Sequence, residues 1–455
     1  MVLRTRRSFT TALLLFGAAA SASGAPLTVT LGGDMIGPYR LTDDPPPPEV
    51  QAVADLFRNA DLGFANQEGS IFDLVPASHA AAENGGGYPI APARVAGWIR
   101  QFGIAIVSKA NNHATDFGTD GLRMTRAALD AAGVASAGAG RDRAAACAPT
   151  YVERPGGTIA LVSAATTFPP MAAALEPVQT RAGVLPRPGI CAIRTRFVEL
   201  VTPARLAALR AAASSAAIAV PSEPDALRIG DQIFRSARTP GHRVEMDPGD
   251  AQAVLTAIRA AHARGALVML AVHAHETAGT NDPIPPADFE PLLLHRANEA
   301  PAADDPLPAT FQPELFHQAV AAGADIVVRT GPHSAGGVEI YQGKPIFWGM
   351  GSLVFAFGGS RSYVAPAGQR FDLPAAWFRS IVATVRFDRK RLTRLEVRAV
   401  ALASSSGPRD GQPHLLAGVE ADEALRDFQA RSATLGTTIT ITAGTAQLKV
   451  QDLSR

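Results

Sequence analysis

Residues 108–121 read SKANNHATDFGTDG, a polar motif between a predicted strand and a predicted helix. The preceding residues 102–107 read FGIAIV, a short apolar run bounded by polar residues that predicts a buried β-strand. The following residues 121–132 have apolar side chains at helical spacing, with Gly133 at the position of a C-cap, which predicts a helix. The motif therefore lies at the carboxyl end of a strand, where open α/β sheets bind ligands.

Three polar residues occupy this predicted strand-to-helix turn: Asn111, Asn112 and His113. Asn112 offers an amide oxygen and His113 an imidazole, a pairing that suits a metal ligand beside a proton donor. A turn in which an asparagine side chain bonds its own backbone would account for the same residues without any function.

The composition excludes some classes of function. The chain has 455 residues, which is room for one large α/β domain or for two to three small ones. Its 42 Lys and Arg residues balance 41 Asp and Glu residues, leaving a formal charge of +1. No basic stripe suggests a nucleic-acid partner, and 47% hydrophobic residues can bury a substantial core.

The amino terminus predicts export. Arg6-Arg7 is a twin-arginine pattern, an apolar run follows at 12–20, and small residues precede Pro26 as in signal-peptide cleavage sites. We therefore expect a signal peptide over residues 1–25, a periplasmic or extracellular location, and no membrane span in the mature chain. An uncleaved amino-terminal anchor is the alternative.

Residues 26–400 are predicted to form the main domain, with an insertion or subdomain at 168–243 that is rich in Pro, Ala and Arg. Residues 401–455 are predicted to be an extension that packs on it. Gln342-Gly343 between two β-prone runs predicts a hairpin. The two cysteines, Cys147 and Cys191, could form a disulfide in an exported protein or could equally be free and buried.

Polar residues recur where predicted strands end. Runs such as 27–31, 62–65 and 266–272 are each followed by Asp, Glu, Asn or His, the residues that bind Zn²⁺, Mn²⁺ or Fe. Because parallel strands end at one edge of a sheet, these side chains could converge on a metal or catalytic cluster. A single histidine is more often a surface or core residue, so the signal lies in the set: Asp34, Asn66 and Glu68, Asn112 and His113, His273 and His275, and His333.

Several sequence blocks carry a family resemblance. The blocks GGDMIG, ANQEGSI, ANNHATDFGTDGLRMT, AGVASAGAGRD, VHAHE and GADIVVRTGPHSAGGVEIYQGKPIFWGMGSLVF occur in this order between residues 27 and 357. They resemble the CapA family, which is linked to poly-γ-glutamate capsule synthesis. The resemblance implies a calcineurin-like metallophosphoesterase fold, a four-layer α/β/β/α sandwich, and one or two divalent ions (Mn, Zn or Fe).

The resemblance also implies roles for individual residues. His113 would stabilise the transition state and protonate the leaving group, and His275 and Glu276 would act as catalytic residues that bind metal or substrate. Substrate binding is assigned to Asn66, Asn111, Arg329 and Thr330, with Arg329 at the edge of the cleft. The implied metal ligands are Asp34, Glu68, Asn112, His273 and His333.

The sequence departs from the family pattern at two informative places. Thr330 replaces a histidine that binds one metal in the family, and Ser352 stands where the family has an asparagine. One metal position would then be weakened or empty. Two functions fit: an exported metal-dependent hydrolase of a phosphoester or amide-like linkage, or a non-catalytic envelope protein that binds poly-γ-glutamate or a similar polyanion. An anionic polymer or a phosphoester substrate, with the capsule-synthesis machinery, would be the partners.

Overall fold

The computed structural model describes residues 25–37, 47–75, 81–82, 88–216, 224–230, 232–276, 309–356, 361–364, 370–403 and 409–448. The predicted signal peptide at 1–25 lies outside these ranges apart from Ala25, and so does the end of the predicted carboxyl-terminal extension at 449–455. Within the described ranges, no helix has both the length and the apolar composition needed to cross a membrane.

Eight α-helices lie in the described ranges, together with two 3₁₀-helices at Pro170–Ala172 and Ala375–Phe378. The α-helices are α1 Pro48–Arg58, α2 Val95–Phe102, α3 Gly118–Ala131, α4 Arg143–Cys147, α5 Pro203–Ser215, α6 Pro248–Ala263, α7 Phe311–Ala321 and α8 Gly418–Thr434.

The strands of the described ranges alternate with these helices over most of the chain. They are β1 Leu27–Ile36, β2 Leu62–Gln67, β3 Ser70–Ile71, β4 Ile90–Ala91, β5 Ile104–Ser108, β6 Ala135–Ala137, β7 Ala139–Gly140, β8 Thr150–Arg154, β9 Gly157–Ala165, β10 Leu175–Thr180, β11 Gly183–Arg187, β12 Gly189–Ile190, β13 Thr195–Val201, β14 Ala226–Ile229, β15 Gln232–Ser236, β16 Gly241–Met246, β17 Leu267–His273, β18 Ile326–Thr330, β19 Val338–Tyr341, β20 Lys344–Phe347, β21 Ser352–Phe355, β22 Ser362–Val364, β23 Arg370–Asp372, β24 Arg379–Asp388, β25 Arg391–Leu402, β26 Pro413–Leu415, β27 Ile439–Thr442 and β28 Thr445–Leu448.

Two large mixed sheets dominate the fold. The ten-stranded sheet has the order β27-β28-β25-β24-β1-β2-β5-β6, with β21 also beside β1 and β26 beside β25. The six-stranded sheet has the order β19-β20-β18-β17-β9-β8. The centre of each sheet is parallel, because β1, β2 and β5 pair in parallel and so do β9, β17 and β18. The chain is therefore an α/β protein.

Alternating side chains along the central strands enter different cores, as expected of a sheet covered on both faces. Phe64 and Leu161 belong to one cluster that contains residues of both sheets. Val162 belongs to a second cluster with residues of α6 and α7. Ala65 belongs to a third cluster with residues of α1, α2 and α3.

Residues 195–246 contain a four-stranded sheet of order β14-β15-β13-β16, and α5 lies within the same stretch. Residues 175–187 form a separate antiparallel hairpin of β10 and β11. The Thr202 side chain caps the amino end of α5 by accepting from the Arg205 N–H.

The first strand extends further than the sequence predicts. Asp34 was expected just past the first strand, but β1 continues to Ile36, with an irregular register between Leu31 and Asp34. At this irregular point, the backbone of β1 passes close to the backbone of Gly351. Gly33 permits this approach, since a Cβ there would lie 1.7 Å from the Gly351 carbonyl oxygen.

Two further features of the fold bear on the sequence predictions. The predicted hairpin is confirmed, since β19 and β20 pair antiparallel and the turn residues Gln342 and Gly343 have φ of 48° and 71°. Cys147 and Cys191, left open by the sequence, form a disulfide that closes a loop across 44 residues.

Candidate metal centre

Parallel pairing brings the polar strand ends into register. In the ten-stranded sheet, Asp34 of β1 lies opposite Asn66 of β2, and Asn66 lies opposite Ser108 of β5. In the six-stranded sheet, His273 of β17 lies opposite Thr330 of β18. These residues lie at or close to the carboxyl ends of parallel strands, so each sheet presents its polar side chains along its carboxyl edge.

His273 joins the two edges. Its Nδ1 lies 3.2 Å from Asn66 Nδ2 and 3.1 Å from Thr330 Oγ1. Its Nε2 lies 2.9 Å from Asn112 Oδ1 and 3.6 Å from Glu68 Oε1. An amide oxygen only accepts hydrogen bonds, so Nε2 carries the proton in this arrangement and Nδ1 accepts from its neighbours.

Three side chains form a group that could hold a metal ion. The ligand atoms of Glu68, His273 and His275 all lie within 4.8 Å of one another. The His275 ring lies 5.0 Å from the His273 ring and 5.7 Å from the His333 ring, measured between centroids. A carboxylate with two imidazoles is a donor set used for Zn²⁺, and the Asn112 oxygen beside His273 adds a further oxygen.

Two predicted ligands, Asp34 and His333, lie outside that three-residue group. The Asp34 carboxylate accepts from Asn66 Nδ2 at 2.8 Å and from the Gly331 N–H at 3.0 Å. His333 Nδ1 lies 3.4 Å from Ser352 Oγ. Their roles as ligands stay predictions, while His275, which the sequence assigned to catalysis, lies with Glu68 and His273.

Burial governs the protonation of the group. Burial, followed by repulsion from Asp34, raises the pKa of the Glu68 carboxyl well above its usual range. Burial lowers the pKa of the His273 imidazole well below its usual range, and so does the nearby His275. Burial also lowers the pKa of His275, followed by the effect of His333. All three pKa shifts favour the neutral forms of these side chains, which disfavours an ion pair across the 3.6 Å contact between His273 and Glu68.

The predicted acid, His113, lies at the beginning of the segment that leads into α3. Its Nδ1 is 2.8 Å from Oδ2 of the buried Asp116, which fixes the ring and directs Nε2 elsewhere. Lys109 is fully buried nearby and donates to the carbonyls of Gln67 and Gly69. Burial lowers the pKa of the Lys109 ammonium to about 7, although the charge of Asp116 raises it.

The turn after β17 is held by buried polar groups. Arg329 is fully buried and donates to the carbonyl oxygens of Ala274 at 3.0 Å and Glu276 at 2.8 Å. The Glu276 carboxylate accepts from the hydroxyls of Thr166 at 2.7 Å and Thr167 at 3.0 Å. Burial raises the pKa of Glu276, and hydrogen bonding from Thr166 opposes this.

The expectation that Arg329 lies at the edge of a cleft is wrong. Its guanidinium instead binds backbone carbonyls beneath the His273–Glu276 turn, because β18 runs beside β17 in the middle of the sheet. Asn66, Asn111 and Thr330 are also buried. Asn111 Nδ2 donates to Gln67 O and Asn66 Oδ1, so its known contacts are to protein groups. The substrate roles of these residues stay predictions.

Sequence reasoning missed several residues of this site. Asp116 lies three positions after His113 in the same motif, so its spacing could have identified it as the histidine's partner. Thr166 and Thr167 follow β9, another parallel strand end, and this position was a usable signal. Gln312 of α7, which donates to the Glu276 carbonyl at 2.9 Å, gave no local signal.

Comparisons with known proteins point to one family. The model of the family described as "Bacterial capsule synthesis protein PGA_cap" matches residues 28–304 and 301–356. Two similar proteins of Sinorhizobium fredii (strain NBRC 101917 / NGR234), named Uncharacterized protein y4sH and Uncharacterized protein y4uA, are each 29% identical to this chain over 428 residues. Each alignment covers 87% of this chain and 87% of the relative.

Proposed function

Because this chain belongs to the family of bacterial capsule synthesis proteins PGA_cap, we propose that it is an exported metal-dependent hydrolase of the metallophosphoesterase type. One observation carries the proposal: Glu68 from one sheet and His273 and His275 from the other bring their ligand atoms within 4.8 Å. Burying a carboxylate and two imidazoles together costs free energy, and coordination of a cation would offset that cost.

We further propose that the two sheets and their helices form the four-layer α/β/β/α sandwich of that superfamily. The cluster that mixes Phe64 and Leu161 supports direct contact between the two sheets. The clusters that add α6 and α7 on one side, and α1, α2 and α3 on the other, support helical outer layers. In such a sandwich both carboxyl edges, and thus the candidate ligands, would lie at one end.

The residues present fit a divalent cation. His275 Nε2 is enclosed and has no hydrogen-bond partner among the described residues, although the residue as a whole is half-buried. A buried nitrogen without a partner is costly in a protein and is relieved by coordinating a cation. Glu68, His273, His275 and the Asn112 oxygen would hold the ion, with Asp34 and His333 on the adjoining side.

When bound, such an ion supplies Lewis acidity at the scissile group and lowers the pKa of a water molecule towards neutrality. The protein's own residues do the rest. Asp116 holds His113 through Nδ1, which leaves His113 Nε2 to deliver a proton to a leaving oxygen or nitrogen. Arg329 fixes the carbonyls of Ala274 and Glu276, which keeps His275 in the site.

The test is a hydrolysis assay on purified protein stripped of metal and reloaded with Mn²⁺, Zn²⁺ or Fe²⁺. We expect turnover of a generic phosphodiester or a γ-glutamyl amide only in the loaded protein, and a loss of about 10²–10⁴-fold in His113→Asn. Equal turnover by loaded wild type and His113→Asn would contradict the proposed proton donor.

A second candidate function is non-catalytic binding of poly-γ-glutamate or a similar polyanion in the cell envelope. Thr330 favours it, because a hydroxyl stands where the resemblance expects an imidazole and is already 3.1 Å from His273 Nδ1. Cation binding together with polymer binding, but without turnover of either substrate, would support this alternative over the hydrolase.

Export is tested with the twin-arginine pair at residues 6 and 7. Replacing Arg6 and Arg7 with lysine should leave the protein in the cytoplasm, because the twin-arginine pattern is the feature that addresses it for export. Cell fractionation of wild type and the double variant measures this. Undiminished export of the variant would show that another signal directs the chain.

A further inference from the structure

The side-chain amide of Asn66 lies in the middle of the candidate metal ligands. Its Nδ2 is 2.8 Å from Asp34 Oδ1, 3.2 Å from His273 Nδ1 and 3.4 Å from Glu68 Oε2. These neighbours come from three strand ends, and Asn66 is fully buried among them. We propose that Asn66 is a positioning residue that holds these three ligands together while no cation is bound, an inference that rests on the proposed metal centre.

The number of hydrogens on the amide supports this role. An amide nitrogen has two hydrogens, whereas Asn66 Nδ2 faces three acceptor atoms. Asp34 Oδ1 is the nearest acceptor, and His273 Nδ1 accepts because its Nε2 proton is directed to the Asn112 oxygen. The amide can therefore share its two hydrogens among three acceptors, so that one neutral donor links the side chains that the proposed cation would link.

The burial of two acidic side chains calls for such a donor. Asp34 and Glu68 are both buried, and one oxygen of each lies within hydrogen-bond distance of Asn66 Nδ2, at 2.8 Å and 3.4 Å. A neutral amide donor satisfies these buried oxygens without adding charge, which lowers the cost of burying them.

Asn111 sets the direction in which the Asn66 amide points. Asn111 Nδ2 donates to Gln67 O at 2.9 Å and to Asn66 Oδ1 at 3.2 Å. Because Asn111 supplies a donor on that side, the oxygen of Asn66 faces Asn111 and its NH₂ group faces the ligands. Asn111 is buried in the same motif that supplies Asn112. The two asparagines thus act as a pair, and neither needs to contact a substrate.

The first test compares Asn66→Ala and Asn66→Asp, each measured by thermal unfolding of metal-free protein and by calorimetric titration with Mn²⁺. Asn66→Ala removes the donor, so we expect a lower metal-free Tm and a Mn²⁺ affinity about 10–100-fold weaker, the usual cost of losing a residue that orients ligands. Asn66→Asp replaces the donor with a third carboxylate, so we expect a lower metal-free Tm but a Mn²⁺ affinity at least equal to that of wild type.

Asn111→Asp is the matched variant for orientation, because aspartate keeps the shape but loses the donor to Asn66 Oδ1. It should weaken Mn²⁺ binding in the same direction as Asn66→Ala, by a smaller factor. Ser432→Ala, a buried hydrogen-bonded hydroxyl on α8, is the control. It should lower Tm by the same amount with and without Mn²⁺.

The outcomes separate the inference from the metal centre. If wild type binds Mn²⁺ tightly and both Asn66 variants bind it equally well, the metal centre stands and the role of Asn66 is refuted. The same holds if Asn66→Ala and Asn66→Asp lose equal Tm with and without Mn²⁺, as a purely structural residue would. If wild type binds no divalent ion, the proposed metal centre fails first, and the inference fails with it.

Discussion

The two sheets contribute different chemistry to the candidate centre. The ten-stranded sheet provides oxygen atoms from Asp34, Glu68 and Asn112, and the six-stranded sheet provides the imidazoles of His273 and His275. On the first side, burial and the nearby Asp34 raise the pKa of Glu68, whereas on the second side burial lowers the pKa values of His273 and His275. The proposed divalent cation would bind groups from both sides at once, which neither sheet provides alone.

The sides also differ in how their residues are held. The oxygen side is fixed by strand register and by the amide of Asn66. On the nitrogen side, His273 ends β17 and His275 lies in the turn beyond it. That turn is fixed by the buried Arg329 and by the Thr167 hydroxyl, which accepts from the His275 N–H at 2.9 Å. The position of His275 therefore depends on partners from β18 and from the segment after β9.

Removing an imidazole should have the largest effect. His273→Ala deletes the side chain that contacts both sheets, so we expect Mn²⁺ or Zn²⁺ affinity to fall by more than ~100-fold, since even residues that only orient ligands cost about 10–100-fold. Calorimetric titration measures the affinity. The control is His242→Ala, an exposed imidazole on the four-stranded sheet, which should leave cation binding unchanged. If His273→Ala bound the cation as tightly as wild type does, His273 would not be a ligand, and the proposed role of the imidazoles would be contradicted.

Adding an imidazole at Thr330 sharpens the comparison. If position 330 is a weakened second ion site, Thr330→His should strengthen binding of a second cation by roughly tenfold, because a nitrogen ligand outcompetes a hydroxyl there. The variant loses the 3.1 Å contact with His273 Nδ1 and must fit a larger ring at a buried position, which costs about 1–3 kcal/mol of stability.

Titration stoichiometry of wild type and Thr330→His provides the measurement. Thr330→Ser, which keeps the hydroxyl, serves as the matched control. A weaker first site in Thr330→His, with no second ion, would show instead that Thr330 acts as the hydrogen-bond partner of His273.

The smallest effect concerns the pH dependence of the metal-free protein. Because the folded pKa of Glu68 is raised, its ionisation opposes folding, and this penalty appears as pH rises above the usual carboxyl range. Glu68→Gln removes the penalty, so metal-free Glu68→Gln should be more stable than wild type at pH 7 by ~1 kcal/mol or more. This difference in stability between the variant and wild type should vanish as the solution approaches pH 4. The cation affinity of Glu68→Gln should be lower than that of wild type.

The histidines have the opposite dependence. The folded pKa values of His273 and His275 are lowered, so the unfolded chain binds protons more readily, and acid destabilises the metal-free protein below about pH 6.5. Denaturant titrations at several pH values measure both effects, with the exposed Glu420→Gln as control. A Glu68→Gln variant less stable than wild type at pH 7 would contradict the electrostatic comparison.

The sequence was most informative where strand position alone decides geometry. Asp34, Asn66 and His273 could be placed at sheet edges because period and strand length determine where parallel strands end. The site's remaining features depend on contacts between distant segments. His275 joins the group, and Arg329 lies beneath the turn, because β18 pairs with β17 and the threonines after β9 support the same turn. No local pattern encodes those contacts.

The disulfide illustrates the same limit. Whether Cys147 and Cys191 are bonded depends on how α4 and the segment after β12 meet, and the sequence between them gives no sign of this. Lys109 is a further case. A lysine beside a polar motif is ordinarily solvated, yet Lys109 is fully buried and donates to the backbone carbonyl of Gln67, next to Glu68.

The most direct test of the metal centre is anomalous diffraction from crystals of the protein grown with Mn²⁺, with data collected above and below the manganese absorption edge. We predict one strong anomalous peak that contacts Glu68, His273 and His275, the three side chains whose ligand atoms already lie within 4.8 Å of one another. A fully occupied peak that contacts none of these three residues, or the absence of any peak in crystals saturated with Mn²⁺, would contradict the account.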